Sequence, residues 1–297
     1  MKLSPEELSD GVLKKETIAS AVEQIRLNGY VYFESVLPHE LVDEMHASFL
    51  NLFHEKSKTS PDETEVNAAH FRKNRTRLFL PFEKPFTDPQ VLTSPFILPI
   101  IEEILGKDCI VTYLAVDAPL PGSDYQAVHS DTTALYPDVT VNLPPQGLTL
   151  NIALVDVTEE NGPMEVWPTG THLTPENLNK PEHVQKVSKL SEPHRVMLPK
   201  GSLLIRDPRM WHRGTPNNSD HIRPIVALSY ARYWWRGYYQ NTLAIKEEVY
   251  KTFSERAKQL VRYEEIVSAS SGPVQIRIPG EVKYISLLDE KNKNNTI

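Results

Sequence analysis

The chain is poor in cysteine, in long apolar runs, in repeats and in basic charge. A single cysteine, Cys109, stands among 297 residues. It excludes an internal disulfide and any cysteine-based zinc cluster, and it fits a reducing compartment, so a cytoplasmic location is expected. No apolar stretch approaches the ~18 residues that would suggest a membrane span. The N-terminus, Met1-Lys2-Leu3-Ser4-Pro5-Glu6-Glu7, lacks the apolar core of a signal peptide. No membrane partner is expected, and the sequons at Asn74, Asn217 and Asn294 read as chance matches. Lys and Arg total 32 against 39 Asp and Glu, a net charge of -7. Nucleic acid demands a basic face, so it is not an expected partner, although a local basic pocket is compatible. Without repeats or a linker-like shift in composition, one domain is expected over 1–297. It divides into a helical N-terminal part (1–108), a core (109–235) and a C-terminal helical segment with a tail (236–297).

What is present is a β core between helices. Residues 4–28 read as helix, with Ile18, Ala21, Val22 and Ile25 at helical spacing and Asn28-Gly29 as the stop. The β-branched and aromatic run 30–33 predicts a strand. A helix after Pro38 carries Leu41, Met45, Phe49 and Phe53 on one side. The stretch 55–75 reads as a polar loop, with Arg72-Lys73-Asn74-Arg75-Thr76-Arg77 as a solvated basic run. A short strand over 77–82 and a helix over 95–105 follow. From Cys109 the character changes: strands are predicted over 109–119, 125–131, 148–157, 163–168, 194–198, 202–206 and 224–234, punctuated by Pro, Gly, Asn and Asp. Helix returns over 243–265, and the tail 291–297 is polar. Many short strands with little helix between them make a mainly β fold with flanking helices, a sandwich or barrel.

The chemistry concentrates in Tyr125-Gln126-Ala127-Val128-His129-Ser130-Asp131. Alternate side chains of a strand share a face, so His129 and Asp131 would aim an imidazole and a carboxylate at one point. By itself such a pair is more simply a surface hydrogen-bonded couple. One later histidine would complete the 2-His-1-carboxylate set of non-haem iron oxygenases. His212 is the candidate, between a strand and the Gly214-Thr215-Pro216-Asn217 turn. Eleven residues on, Arg223 opens the apolar run from Pro224 to Tyr230. A buried unpaired arginine is costly, and its planar fork matches a carboxylate. A dicarboxylate co-substrate would supply the partner.

His-x-Asp, a distant histidine and an arginine a strand's length later resemble the Fe(II)/2-oxoglutarate oxygenases. Gln126, the segment from Glu160 to His172, and Trp211-His212-Arg213-Gly214-Thr215-Pro216-Asn217 resemble the phytanoyl-CoA dioxygenase (PhyH-like) family in particular. The helix–strand–helix opening at 16–53 fits that family too, and the resemblance spans roughly residues 18–235. It implies a double-stranded β-helix, the cupin-like jelly roll, with Fe(II) on His129, Asp131 and His212. It implies that 2-oxoglutarate chelates the metal, pairs its far carboxylate with Arg223 and meets Gln126 near the metal. Asn151 and Thr171 are further candidates for the co-substrate pocket. With O2, such a site decarboxylates 2-oxoglutarate to succinate and CO2 and removes a hydrogen from a substrate, hydroxylation being the default. Related halogenases carry Gly or Ala in place of the carboxylate, so Asp131 disfavours halogenation.

The substrate is expected to be a small molecule, in a biosynthetic tailoring step. Arg77, Tyr136, Trp167 and Trp234 are the candidates to touch it, the last from an aromatic cluster running through Tyr230, Tyr233, Trp235, Tyr238 and Tyr239. The segment 138–146 reads as a lid or rim loop. His39, His46, His54, His70, His172, His183, His194 and His221 show no partner pattern and read as ordinary polar residues. Two alternatives remain open: acyl-CoA α-hydroxylation, for which only the run 72–77 offers a phosphate grip, and a non-catalytic jelly-roll binding protein. Family relatives can dimerise, which leaves a homodimer open.

Overall fold

A computed structural model of the chain describes residues 1–59, 74–132, 134–168, 170–235 and 244–268, and the backbone of short strands at Ile276–Ile278 and Glu281–Lys283. Arg72, Lys73, His70, Tyr238, Tyr239 and the tail 291–297 lie outside the described residues.

The N-terminal part is shaped by its caps. Ser4 accepts from the Glu7 amide and Glu7 reaches back to the Ser4 amide, a capping box that starts α1 (Pro5–Asp10). Gly11, at φ 65°, ends it. The single helix expected over 4–28 is therefore two, with α2 at Lys15–Asn28 stopped by Gly29 at φ 82°. Strand β1 (Tyr30–Phe33) follows, then α3 (His39–Thr59), which runs past the loop start expected at 55. Strand β2 is Arg75–Phe79, earlier than expected. Two short helices, α4 (Pro89–Leu92) and α5 (Leu98–Leu105), lead into the core.

The core strands are β3 (Ile110–Pro119), β4 (Gly147–Ala153), β5 (Met164–Val166), β6 (His194–Val196), β7 (Leu203–Arg206), β8 (His212–Gly214) and β9 (Ile225–Ala231), with a short helix α6 (Pro181–Val187) between β5 and β6. The strands form two antiparallel sheets. The larger has the order β1-β7-β4-β9-β3-β2, and the smaller is β6-β5-β8. The mainly β, jelly-roll expectation is met. Two expected strands are corrected. Residues 125–131 form none; beside β8 they make one isolated bridge, His129–His212, and a single Gln126 amide to Gly214 carbonyl bond at 3.0 Å. The ladder is interrupted because the Gly214 amide bonds to the Gln126 side chain instead of a backbone carbonyl. Strand β9 stops at Ala231, short of 234, because residues 232–235 close a turn, with the Trp235 amide on the Arg232 carbonyl at 2.8 Å. The helix expected over 243–265 resolves into α7 (Glu247–Thr252) and α8 (Glu255–Leu260), flanked by paired two-residue strands at Ile245–Lys246 and Ile266–Val267.

The larger sheet is two-faced. Leu114, Val116, Leu148, Leu150, Ile152, Leu203, Ile205, Val226 and Leu228 point to the helices and join Val22, Ile25, Met45, Phe49, Ile97 and Ile101 in one buried cluster. The facing register rows carry mostly polar or small side chains. Arg206 sits opposite Thr149, Thr149 opposite Ser229, and Ser229 opposite Tyr113. Arg77 sits opposite Asp117, and Asn151 opposite Ala227. Paired residues of an antiparallel ladder share a face, so these rows line the interior between the two sheets. Of the sequons, Asn217 is fully buried with its amide on the Pro119 and His221 carbonyls, so it is no glycan acceptor.

Leu150, fully buried in the helix-facing cluster, tests this division. Leu150→Ala should destabilise the protein by about 2–5 kcal/mol in denaturant unfolding. A loss below about 1 kcal/mol would mean that the helices do not seal this face.

Candidate functional site

Three side chains converge where the segment after Val128 meets β8. His129 and His212 exchange both backbone hydrogen bonds, at 3.0 and 2.9 Å, which sets their rings side by side with centroids 4.4 Å apart. Each ring is tethered the same way: His129 Nδ1 lies 2.8 Å from the Ala127 carbonyl and His212 Nδ1 lies 2.8 Å from the Met210 carbonyl. A carbonyl only accepts, so Nδ1 carries the proton in both rings and both Nε2 lone pairs are left to bind. Asp131 completes the set, with Oδ1 3.6 Å from His129 Nε2 and Oδ2 3.4 Å from His212 Nε2. The candidate ligand atoms all lie within 4.8 Å of one another. Two imidazole nitrogens and a carboxylate on one side are the donor set that suits non-haem iron, and the residues fit that metal.

The electrostatics keep the three ready. Burial works against the Asp131 charge, but the Arg206 guanidinium beside it outweighs that penalty and holds the carboxyl well below the usual carboxylate range. Arg206 donates through Nη2 to Asp131 and through Nε to Asn151 Oδ1 at 3.1 Å. Burial first, then the Arg206 charge, pushes the His212 pKa down to about 4, so the ring is neutral at pH 7.

A cleft of about 620 Å³ opens beside the cluster, lined by His129, Asp131, His212, Arg223, Gln126 and Asn151 with Arg75, Arg77, Asp117 and Arg206. Arg223 is 5% exposed; its Nη2 donates to the Gly162 carbonyl at 2.7 Å, and its buried Nε has no partner among the described residues. Burial, then the Arg75 charge, pushes its pKa down to about 9. A buried cation with an orphaned donor fits an absent dianionic co-substrate. Gln126 is clamped by Gly214. A Cβ there would come within 2.7 Å of Gln126 Oε1, so the close approach requires glycine.

The candidates read from the sequence separate cleanly. Arg77 reaches the site, paired with Asp117 at 2.7 Å. Thr171 does not line the cleft; its hydroxyl donates to the Trp167 carbonyl and accepts from the Trp211 amide, bracing the turn. Trp167 is core, packed with Val128 and Trp211, with its indole donating to the Ser188 carbonyl. Tyr136 and Trp234 are exposed, at 59% and 50%; Trp234 lies beyond the end of β9, so strand alternation does not aim it inward. Arg75 is not solvated as expected but buried, bonded to the carbonyls of Asp124 and Thr215. His172 packs under Gly29 with Nε2 3.0 Å from the Arg26 carbonyl, away from the cluster. The segment 138–146 lies at a rim, held by Arg209 on the Leu143 carbonyl and Asn142 on the His172 carbonyl.

Arg206, Asp117 and Tyr113 belong to the site and were missed. A signal existed for two of them, Arg206 and Asp117: each is a lone charge in an apolar strand, at a position that faces the interior.

Two measurements follow. His129→Ala and Asp131→Ala should each abolish Fe(II) binding in an anaerobic titration. Arg206→Leu removes the charge that holds the Asp131 pKa down, so that pKa rises. Protons then compete with the metal over a higher pH range, and Fe(II) affinity should start to fall at a higher pH than in the wild type. Superimposable pH profiles would show that Arg206 does not govern Asp131.

Comparison with known proteins agrees with this geometry. The family model for phytanoyl-CoA dioxygenase (PhyH) matches residues 25–225. Among solved structures, the non-haem α-ketoglutarate-dependent epimerase SnoN from nogalamycin biosynthesis is similar at 20% identity and TM-score 0.54, over 73% of this chain and 83% of that one. The carbocyclase SnoK of the same biosynthesis is 21% identical, with TM-score 0.53 over 74% and 84%. AviO1 from Streptomyces viridochromogenes Tue57 is 21% identical, with TM-score 0.53 over 73% and 95%. SnoN is also known in complex with Fe3+, α-ketoglutarate and a nogalamycin compound. At these identities the likeness is one of fold. The family match spans most of the chain and includes His129, Asp131, His212 and Arg223. The chain belongs to the phytanoyl-CoA dioxygenase (PhyH) family and is an enzyme dependent on iron and 2-oxoglutarate.

Proposed function

We propose that this chain oxidises a small molecule in specialised-metabolite biosynthesis, with hydroxylation as its default outcome and succinate and CO2 as co-products. The observation that carries the reading is the His129–Asp131–His212 cluster opening onto a cleft that is also lined by Arg223, whose buried Nε has no partner among the described residues. The biosynthetic setting is drawn from the neighbours SnoN and SnoK, both from nogalamycin biosynthesis.

Each residue has a physical task. His129, Asp131 and His212 would hold the metal. Iron with 2-oxoglutarate and O2 supplies an oxidative decarboxylation coupled to removal of a hydrogen atom from carbon. Arg223 pairs with the far carboxylate of 2-oxoglutarate, and Gln126, fixed by Gly214, borders its near end. Asn151 orients Arg206, and Arg206 orients Asp131. The substrate partner on this reading is a small molecule.

A second outcome, hydrogen abstraction without transfer of oxygen, is favoured by one observation: the similar structures include an epimerase and a carbocyclase. Acyl-CoA hydroxylation is the weaker reading. Of the basic run that would grip CoA phosphates, Arg75 is bound to backbone carbonyls and Arg77 to Asp117. A purely binding role is disfavoured because all three candidate ligands and Arg223 are in place.

The test is 2-oxoglutarate turnover with Fe(II), ascorbate and a panel of biosynthetic intermediates. Succinate should form in step with substrate loss, and oxygen from labelled O2 should enter the product if hydroxylation is the outcome. Arg223→Leu removes the partner of a buried carboxylate, worth about 2–5 kcal/mol, so the Kd for 2-oxoglutarate should rise by roughly 30-fold or more. Absence of succinate across the panel, or an unchanged Kd in Arg223→Leu, would overturn the assignment.

A further inference from the structure

A second cleft, also about 620 Å³, lies on the other side of Asp131 and shares Arg77, Asp117, Asp131 and Arg206 with the first. Its floor is the inner face of the larger sheet, where Gly147, Ala227, Ser229 and Ala231 leave room. Its polar lining is unfinished. Tyr113 Oη, Thr132 Oγ1, Gln146 Nε2 and Arg206 Nη1 are buried and have no partner among the described residues, although the four residues are only 6–9%, or for Gln146 3%, exposed. A buried polar group without a partner costs about 1–3 kcal/mol, so four around one cleft are not incidental. Nor are they scattered. Arg206 and Tyr113 lie on the same register row, Arg206–Thr149–Ser229–Tyr113, and the two residues between them already satisfy each other through a Thr149–Ser229 hydroxyl contact of 3.1 Å. Thr132 follows Asp131 directly, and Gln146 precedes β4.

The four have one chemical sense. The Gln146 amide nitrogen and the Arg206 guanidinium only donate. The Tyr113 phenol also offers a proton, because burial raises its pKa and keeps it un-ionised. Thr132 is free to do either. Such a lining selects acceptor oxygens and rejects hydrocarbon. The charged groups of this cleft balance, Arg77 against Asp117 and Arg206 against Asp131. What selects the ligand is therefore the set of unsatisfied donors, which an anionic oxygen satisfies best.

We infer that the second cleft is the substrate site, and that it takes an oxygenated small molecule that presents an acidic oxygen, carboxylate or phenolate, to Arg206, Tyr113 and Gln146. This rests on the reading of the first cleft as the metal and co-substrate site. It makes Tyr113, Gln146 and Arg206 determinants of specificity, and it places the substrate against Asp131, the one candidate metal ligand common to both clefts.

The experiment is calorimetric titration of the protein loaded with Fe(II) and saturating 2-oxoglutarate, without O2. Loading fills the Arg223 pocket first. The probes are 6-hydroxy-2-naphthoate, its methyl ester and 2-methylnaphthalene. The acid should bind about 30-fold or more tighter than the hydrocarbon, with the ester between them. Tyr113→Phe keeps the ring and loses only the hydroxyl; Gln146→Leu keeps the volume and loses only the amide. Each should cut the preference for the acid by about 5- to 10-fold, with unfolding midpoints confirming a folded protein. If Tyr113→Phe does not fold, Gln146→Leu decides. Equal affinity for the three probes, a preference unchanged in a folded variant, or no binding of any probe overturns the inference. The titration is repeated on metal-free protein, so the cleft is read even if 2-oxoglutarate fails to bind. That failure would fall on the function reading, whereas bound 2-oxoglutarate with no discrimination among probes falls on this one.

Discussion

Two backbone hydrogen bonds between His129 and His212 hold the site together. They join segments far apart in sequence, one a loop and the other a three-residue strand, and they leave both imidazoles no choice of direction. Each ring then fixes its own tautomer on the carbonyl two residues before it. The metal-binding geometry is thus a backbone property first. The side chains need only be the right type, because pairing and tether have already placed their Nε2 atoms. Asp131 is positioned by its backbone too, through its amide on the Pro208 carbonyl at 2.7 Å.

That arrangement depends on a sheet with two chemistries. One face of the larger sheet is aliphatic and sealed by helices, which supplies the hydrophobic stabilisation. The other face is free to hold arginines, aspartates, a tyrosine and hydroxyls, because the smaller sheet and the loops roof it over. Charges are tolerated there because they are matched. Arg77 pairs with Asp117 and Arg206 with Asp131, each pair forming part of the wall between the two clefts, and Arg75 is bonded to backbone carbonyls. The unpaired remainder marks where ligands are due: Arg223 in one cleft, and Tyr113, Thr132, Gln146 and Arg206 Nη1 around the other.

Arg206 connects the two. One guanidinium nitrogen holds a candidate metal ligand, a second holds Asn151, and the third is buried without a partner among the described residues. On the reading of the second cleft as the substrate site, a group bound to that third nitrogen would share one rigid planar ion with the Asp131 carboxylate.

The sequence by itself determined the candidate ligands and the class of reaction. His129, Asp131, His212 and Arg223 are types rarely placed in apolar strand surroundings without purpose, and their order along the chain was readable because alternation and turn residues are local properties. It also announced the β core, through strand-forming runs cut by Gly, Pro and Asn. Only the tertiary structure decided what the remaining polar residues do. Arg206 and Asp117 do not stand out in the sequence as site residues; the cross-strand register puts them in one wall. Thr171 and Trp167 looked like site residues until their hydrogen bonds turned out to brace a turn and a core. Trp234 was misread because the chain turns at 232–235, past the end of β9. Register, burial and partner choice are set by residues distant in sequence, and no local pattern encodes them.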